Sequence, residues 1–178
     1  SSFTVTPCKA VDYTKVGVKV GDWAYYSGMT NMTGLPPNFK GNFTVTNIDR
    51  SNVTGTLAFY QTDGTFMFSQ TIWGNISCGV NGPPGAAGLF WFLLVPNLAK
   101  DDMVFVNNPS FRINDTGIMV AGGRARPYAH VNVTISGNST DLRMDQATGI
   151  GMQTNLFMWN GANHFYLRFK ILPLQQSR

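Results

Sequence analysis

The chain has 178 residues, 43% of them hydrophobic but only 12% charged, with a net charge of +4. That length suits one good core and would crowd two. Glutamate is absent, which argues against a helix-rich cytosolic protein, whose helix surfaces Glu, Lys and Ala normally furnish. The thirteen basic residues are scattered, with no run longer than the Arg124–Arg126 pair, so nucleic acid is not an expected partner.

The first residues, Ser1 to about Tyr13, form a candidate arm. Phe3 and Val5 alternate with Thr4 and Thr6, a period of two that gives a strand one apolar face. Such an arm either pairs within its own domain or completes the open edge of a neighbour by strand addition. Val16 to Tyr26 reads as the first strong strand of a head domain covering residues 14–178, with a bend at Gly21-Asp22. Met29 to Gly41, with Gly34, Pro36 and Pro37, reads as loop. Asn42 to Ile48 and Val53 to Tyr60 read as a hairpin around Asp49–Asn52. The Asp63-Gly64 turn then leads into Phe66 to Trp73, the strongest local signal in the chain.

A Gly- and Pro-rich loop, residues 74–88, follows. Leu89 to Val95 is a continuous apolar run, read as either a buried strand or an apolar hook, because periodicity does not separate the two. Core placement is favoured for Trp91 and Phe92 over a surface or carbohydrate platform. Further extended segments are expected at Met103 to Val106, Phe111 to Ile113, Gly117 to Ala121, Ala125 to Ile135, Leu142 to Met144, Ile150 to Trp159 and Phe165 to Ile171. In Ala125 to Ile135, Tyr128, His130, Asn132 and Thr134 oppose Ala129, Val131, Val133 and Ile135. In the last strand Phe165, Leu167, Phe169 and Ile171 face one way and Tyr166, Arg168 and Lys170 the other, the pattern of a half-buried strand. No segment keeps an apolar helical period, and about ten strands with turn signals about every eight to twelve residues indicate an all-β antiparallel sandwich, immunoglobulin-like or jelly-roll-like.

Catalysis is poorly provided for, and the chain is not expected to be an enzyme. His130 and His164 are the only side chains that act as bases near neutrality without perturbation. No Gly-X-Ser-X-Gly elbow and no strong acid pair accompanies either. Asp101-Asp102, and Asp141 with Asp145, lack a calcium-loop pattern, while Asp49 and Asp63 fit turns. No metal or other cofactor is expected. The longest apolar block, residues 88–96, is too short to span a bilayer as a helix, so no membrane span is expected.

Sequons of the form Asn-X-Ser/Thr occur at Asn31, Asn42, Asn52, Asn75, Asn114, Asn132 and Asn138. Composition alone would produce about two or three. The excess points to an exported protein carrying N-linked glycans, although a Thr- and Asn-rich β protein generates some sequons by composition. The chain starts at Ser1, as expected of a cleaved mature product. Cys8 and Cys78 suit one disulfide in an oxidising compartment, the other possibility being a pair of buried thiols. A bond within one chain would close a loop of roughly seventy residues and contribute about 4 kcal/mol; a bond between chains would staple neighbours.

Residues 16–26, Val-Gly-Val-Lys-Val-Gly-Asp-Trp-Ala-Tyr-Tyr, resemble the opening strand of a diverse group of secreted archaeal cell-surface proteins. The segments Val95-Pro-Asn-Leu-Ala-Lys-Asp-Asp, Ile113-Asn-Asp-Thr and Met144-Asp-Gln-Ala-Thr-Gly-Ile are similar too. Within that group the chain resembles the subunits of glycosylated extracellular threads of Sulfolobus-type archaea. The resemblance implies a β-rich head joined to its neighbour by an N-terminal donor strand, with Phe3 and Val5 as the inserted side chains. It implies a homopolymer at the cell surface, meeting other cells or surfaces. Two other functions fit the residues: a monomeric secreted binding module for carbohydrate or another ligand, and a small secreted hydrolase built on His130 or His164.

Overall fold

A computed structural model describes residues 15–76, 89, 92–105 and 110–173. Its strands are β1 (Trp23–Thr30), β2 (Asn38–Asp49), β3 (Asn52–Tyr60), β4 (Phe66–Asn75), β5 (Met103–Phe105), β6 (Ser110–Arg112), β7 (Asp115–Ala121), β8 (Arg124–Ile135), β9 (Asn138–Asp145), β10 (Gly151–Trp159) and β11 (His164–Ile171). Nine form one antiparallel sheet in the order β4-β3-β2-β1-β11-β10-β9-β8-β7, and β5 pairs with β6 as a separate ribbon. The ribbon meets the large sheet where β6 lies against β8. The result is an all-β antiparallel sandwich of unequal layers. Two meanders, β1–β4 and β7–β11, are joined by pairing of β1 with β11 in the middle of the sheet.

The first strand begins later than its sequence suggests. Val16 to Asp22 is not strand, because a tight turn holds it back. Asp22 N donates to Lys19 O at 3.0 Å, Lys19 N donates to Asp22 Oδ2 at 2.9 Å, and Gly21 takes φ 92°. At its other end β1 runs on to Thr30, and the loop expected to reach Gly41 ends at Asn38. Thr30 N closes that loop by donating to Pro37 O at 3.0 Å. The β3–β4 turn forms as expected, with Thr65 N donating to Asp63 Oδ1 at 2.8 Å and Gly64 at φ 95°.

Alternation along the strands gives the large sheet an apolar inner face and a mixed outer face. Tyr26, Phe39, Phe43, Leu57, Phe59 and Phe169 face inward and are buried. The described residues of the apolar run, 89 and 92–95, make a hook rather than a regular strand: Leu93 N donates to Leu89 O at 2.8 Å, and Leu93 makes an isolated bridge to Ile150. The hook seats Phe92 with its ring centroid 5.6 Å from Tyr26, 5.7 Å from Phe43 and 5.0 Å from Phe169. A second cluster packs Leu94, Val95, Leu98, Val104 and Ile113 onto the inner residues of β8 and β9. Phe92 is therefore core, while Trp91 lies outside the described residues.

Tyr26 is fully buried, and its hydroxyl donates to Gly151 O at 2.9 Å, joining the hook side of the core to β10. Burial holds this phenol in its neutral form well above its ordinary range, as desolvation of a phenolate requires.

Candidate ligand-binding face

The seven sequon asparagines all avoid the core. Asn31, Asn52, Asn114, Asn132 and Asn138 are exposed, and Asn42 and Asn75 are half-buried. Several are already engaged: Asn31 Nδ2 donates to His164 O at 2.9 Å while its Oδ1 accepts from Tyr166 N at 2.8 Å. Asn75 Nδ2 donates to Asn52 Oδ1 at 3.0 Å across the β3–β4 pair. The donor residues Phe3 and Val5, and both cysteines Cys8 and Cys78, lie outside the described residues.

His130 has company that its sequence neighbourhood hides. β8 pairs with β7 and β9 so that Asp115 and Arg143 flank it in register. Nδ1 lies 3.2 Å from Asp115 Oδ2, and Nε2 lies 3.3 Å from Asp141 Oδ1 without the alignment of a hydrogen bond. The expectation that no acid pair accompanies a histidine is thus corrected, because residues remote in sequence converge through strand pairing. The imidazole is buried, and both nitrogens already face carboxylates, so the group ties β7 to the sheet. Asp141 also meets Arg143 at 3.5 Å. His164 instead stacks on Trp159, with centroids 6.3 Å apart.

The other acids are occupied structurally. Asp102 Oδ2 accepts from Ala99 N at 2.8 Å, and Asp101 lies 3.5 Å from Arg112. Asp145 caps the turn after β9 by accepting from Ala147 N and Thr148 N, and its other oxygen meets Arg126 Nη1 at 2.7 Å. Among the described residues no group of His, Cys, Asp or Glu is arranged to hold a metal. No helix among them is long and apolar enough to cross a membrane.

The distinctive surface is the outer face of β1 to β4. Trp23 and Tyr25, two apart on β1, place their rings 5.7 Å from each other. Tyr25 stacks on Tyr60 of β3 at 6.4 Å, and Tyr60 meets Phe66 of β4 edge-on at 5.7 Å. Four rings from three strands thus make one ladder, and Trp23 is 45% and Phe66 56% exposed. A hollow of about 550 Å³ opens beside them, lined by Trp23, Tyr25, Lys40, Tyr60, Leu172 and Pro173 among others. That size lies within the range of small-molecule sites. A second hollow of about 500 Å³ shares Trp23, Tyr25 and Leu172 and reaches the Arg126–Asp145 pair. Nothing in the linear sequence announces the ladder, since its members lie between positions 23 and 66 and join only when β1, β3 and β4 align. Alternation of aromatic and polar residues was the available signal, and it marks core strands equally well.

No family model matches the sequence, and no curated protein matches it. Among solved structures, a chain of the Pseudomonas aeruginosa MucA/MucB complex is similar at a TM-score of 0.41 and 13% identity. The alignment covers 85% of this chain and 51% of that one, so this chain spans about half the length of that protein.

Proposed function

We propose that the protein is a non-enzymatic, extracellular binding module that holds carbohydrate on the outer face of β1 to β4. The aromatic ladder carries this reading. Large contiguous apolar groups left in water cost free energy, and where they persist beside a hollow they mark a contact surface. A pyranose ring offers a flat face of C–H bonds that stacks on an aromatic ring, while its rim of hydroxyls takes hydrogen bonds from neighbouring polar groups. Trp23, Tyr25 and Tyr60 supply the flat faces. Lys40 and Ser27 supply polar groups in register beside them.

The test is a titration of the whole protein with linear hexasaccharides, read by tryptophan fluorescence and calorimetry. Binding should be lost in Tyr25→Ala with Tyr60→Ala while the thermal midpoint stays close to that of the parent. Unchanged affinity in that folded double variant would remove the ladder from the site.

A second reading, head-to-tail polymerisation through a donor strand, is favoured by one feature. Among the described residues β7 is an edge of the sheet, and on it Ile118 is 76% and Val120 70% exposed. An edge strand with exposed apolar side chains is a template for strand addition. The arm bearing Phe3 and Val5 has the matching period. Negative-stain microscopy of native material should then show threads, and deletion of residues 1–9 should abolish them. Threads of normal length from the truncated chain would exclude this assembly.

A further inference from the structure

We infer that the ligand of this face is a linear acidic polysaccharide, carrying uronic-acid carboxylates, that runs across the strands rather than along them. The inference rests on the carbohydrate-binding reading above and adds the charge and direction of the chain. Strand register aligns one row of outer side chains across six strands: Tyr60, Lys40, Ser27, Lys170, Gln153 and Arg143. Lys40 and Lys170 stand two strands apart, which at an interstrand spacing of about 4.8 Å separates them by about 10 Å. Two pyranose units of a linear glycan cover that length, so one carboxylate per disaccharide would meet one lysine.

Charge on the row supports an anionic partner. β1, β3, β4, β10 and β11 contain no aspartate, and β2 has one only at its far end, Asp49. Among the described residues, neither Lys40 nor Lys170 has a carboxylate within salt-bridge distance. Asp63, in the β3–β4 turn, is the carboxylate whose field reaches Lys40. Arg168, one register step away, lies over the rings of Phe157 and Tyr166 at 5.3 and 5.5 Å. The positive row ends where Asp141 pairs with Arg143.

Ser27 is the row residue between the two lysines, and Gln153 continues the row beyond Lys170. A shallow groove of about 240 Å³ contains Ser27, Gln153 and Asn155 with Arg168 and Lys170, groups suited to sugar hydroxyls. Duplex nucleic acid carries a charge about every 3.4 Å along each strand, and cations this sparse would leave most of its phosphates unmatched.

The experiment uses the whole protein with three probes: polygalacturonate, a neutral linear glucan of equal length, and oligothymidylate. Polygalacturonate should bind about tenfold more tightly than the glucan, and Lys40→Gln with Lys170→Gln should remove that advantage. The Lys40→Arg, Lys170→Arg variant should retain it, and raising salt should weaken only the acidic polymer. Equal binding of glucan and polygalacturonate, unaffected by the glutamine variant, would overturn the inference while leaving the binding module standing. No binding of either glycan would overturn both, and tighter binding of oligothymidylate would overturn the ligand class.

Discussion

At single residues, close packing is most sharply tested where an aromatic ring covers a glycine. Gly28 of β1 lies opposite Phe39 of β2, and a Cβ at Gly28 would collide with the Phe39 ring. That ring is itself buried and held by Phe59 at 5.6 Å and Phe169 at 5.5 Å, so it has nowhere to move. Gly28→Ala should therefore cost about 1–3 kcal/mol, as overpacking a tight core does, and lower the urea midpoint; an unchanged midpoint would contradict the packing. Asp63 makes a different kind of test. Hydrogen bonds from Thr65, with the Lys40 charge as a smaller influence, hold its carboxyl below the ordinary carboxylate range. A carboxyl depressed on folding stabilises the fold above its unfolded-chain pKa, and that contribution is lost as pH falls through the folded value. NMR titration should place the Asp63 midpoint below that of exposed aspartates, with the β3–β4 turn loosening beneath it. Asp63→Asn should keep the turn and lose its acid sensitivity.

Among the described elements, β7 is held on one side, by β8 and by the contact of His130 with Asp115. His130→Ala should leave the aromatic core intact yet speed amide hydrogen exchange along β7, because an edge strand opens locally without global unfolding. Equal exchange rates in variant and parent would show that the histidine does not secure the strand. Elements set by neighbours in sequence were readable beforehand. The Asp63-Gly64 turn carries its own geometry, and the alternation of β8 and β11 already separates their faces. The start of β1 was not readable, since Val16, Val18 and Val20 alternate as a strand would, while the Lys19–Asp22 turn that interrupts them depends on hydrogen bonding. His130 with Asp115 and Asp141, and the ladder from Trp23 to Phe66, were hidden for a further reason. Each is assembled by register between strands, and register is a property of pairs of segments.

For the molecule as a whole, a sparsely charged surface has to be kept apart from its copies, and N-linked glycans at the sequons, where attached, would do so. Their placement is constrained by the same register that builds the sheet. Asn52 and Asn75 are directly opposed on β3 and β4, which puts their Cβ atoms about 5 Å apart. Two branched sugars leaving points so close would occupy the same volume above the outer face, and the first attached would also disturb the Asn75 to Asn52 amide contact. Asn31 is a contrasting case, because an N-linked amide keeps one hydrogen and the bond from Nδ2 to His164 O can survive modification. Peptide mapping of native protein should therefore find sugar at Asn31 and at Asn52 or Asn75, but not on both members of the opposed pair in one molecule. Replacing Asn52 with Gln should raise occupancy at Asn75. Doubly modified chains in quantity would show that this end of the β3–β4 hairpin is open during glycosylation, and an intact mass equal to the bare polypeptide would remove the glycans altogether.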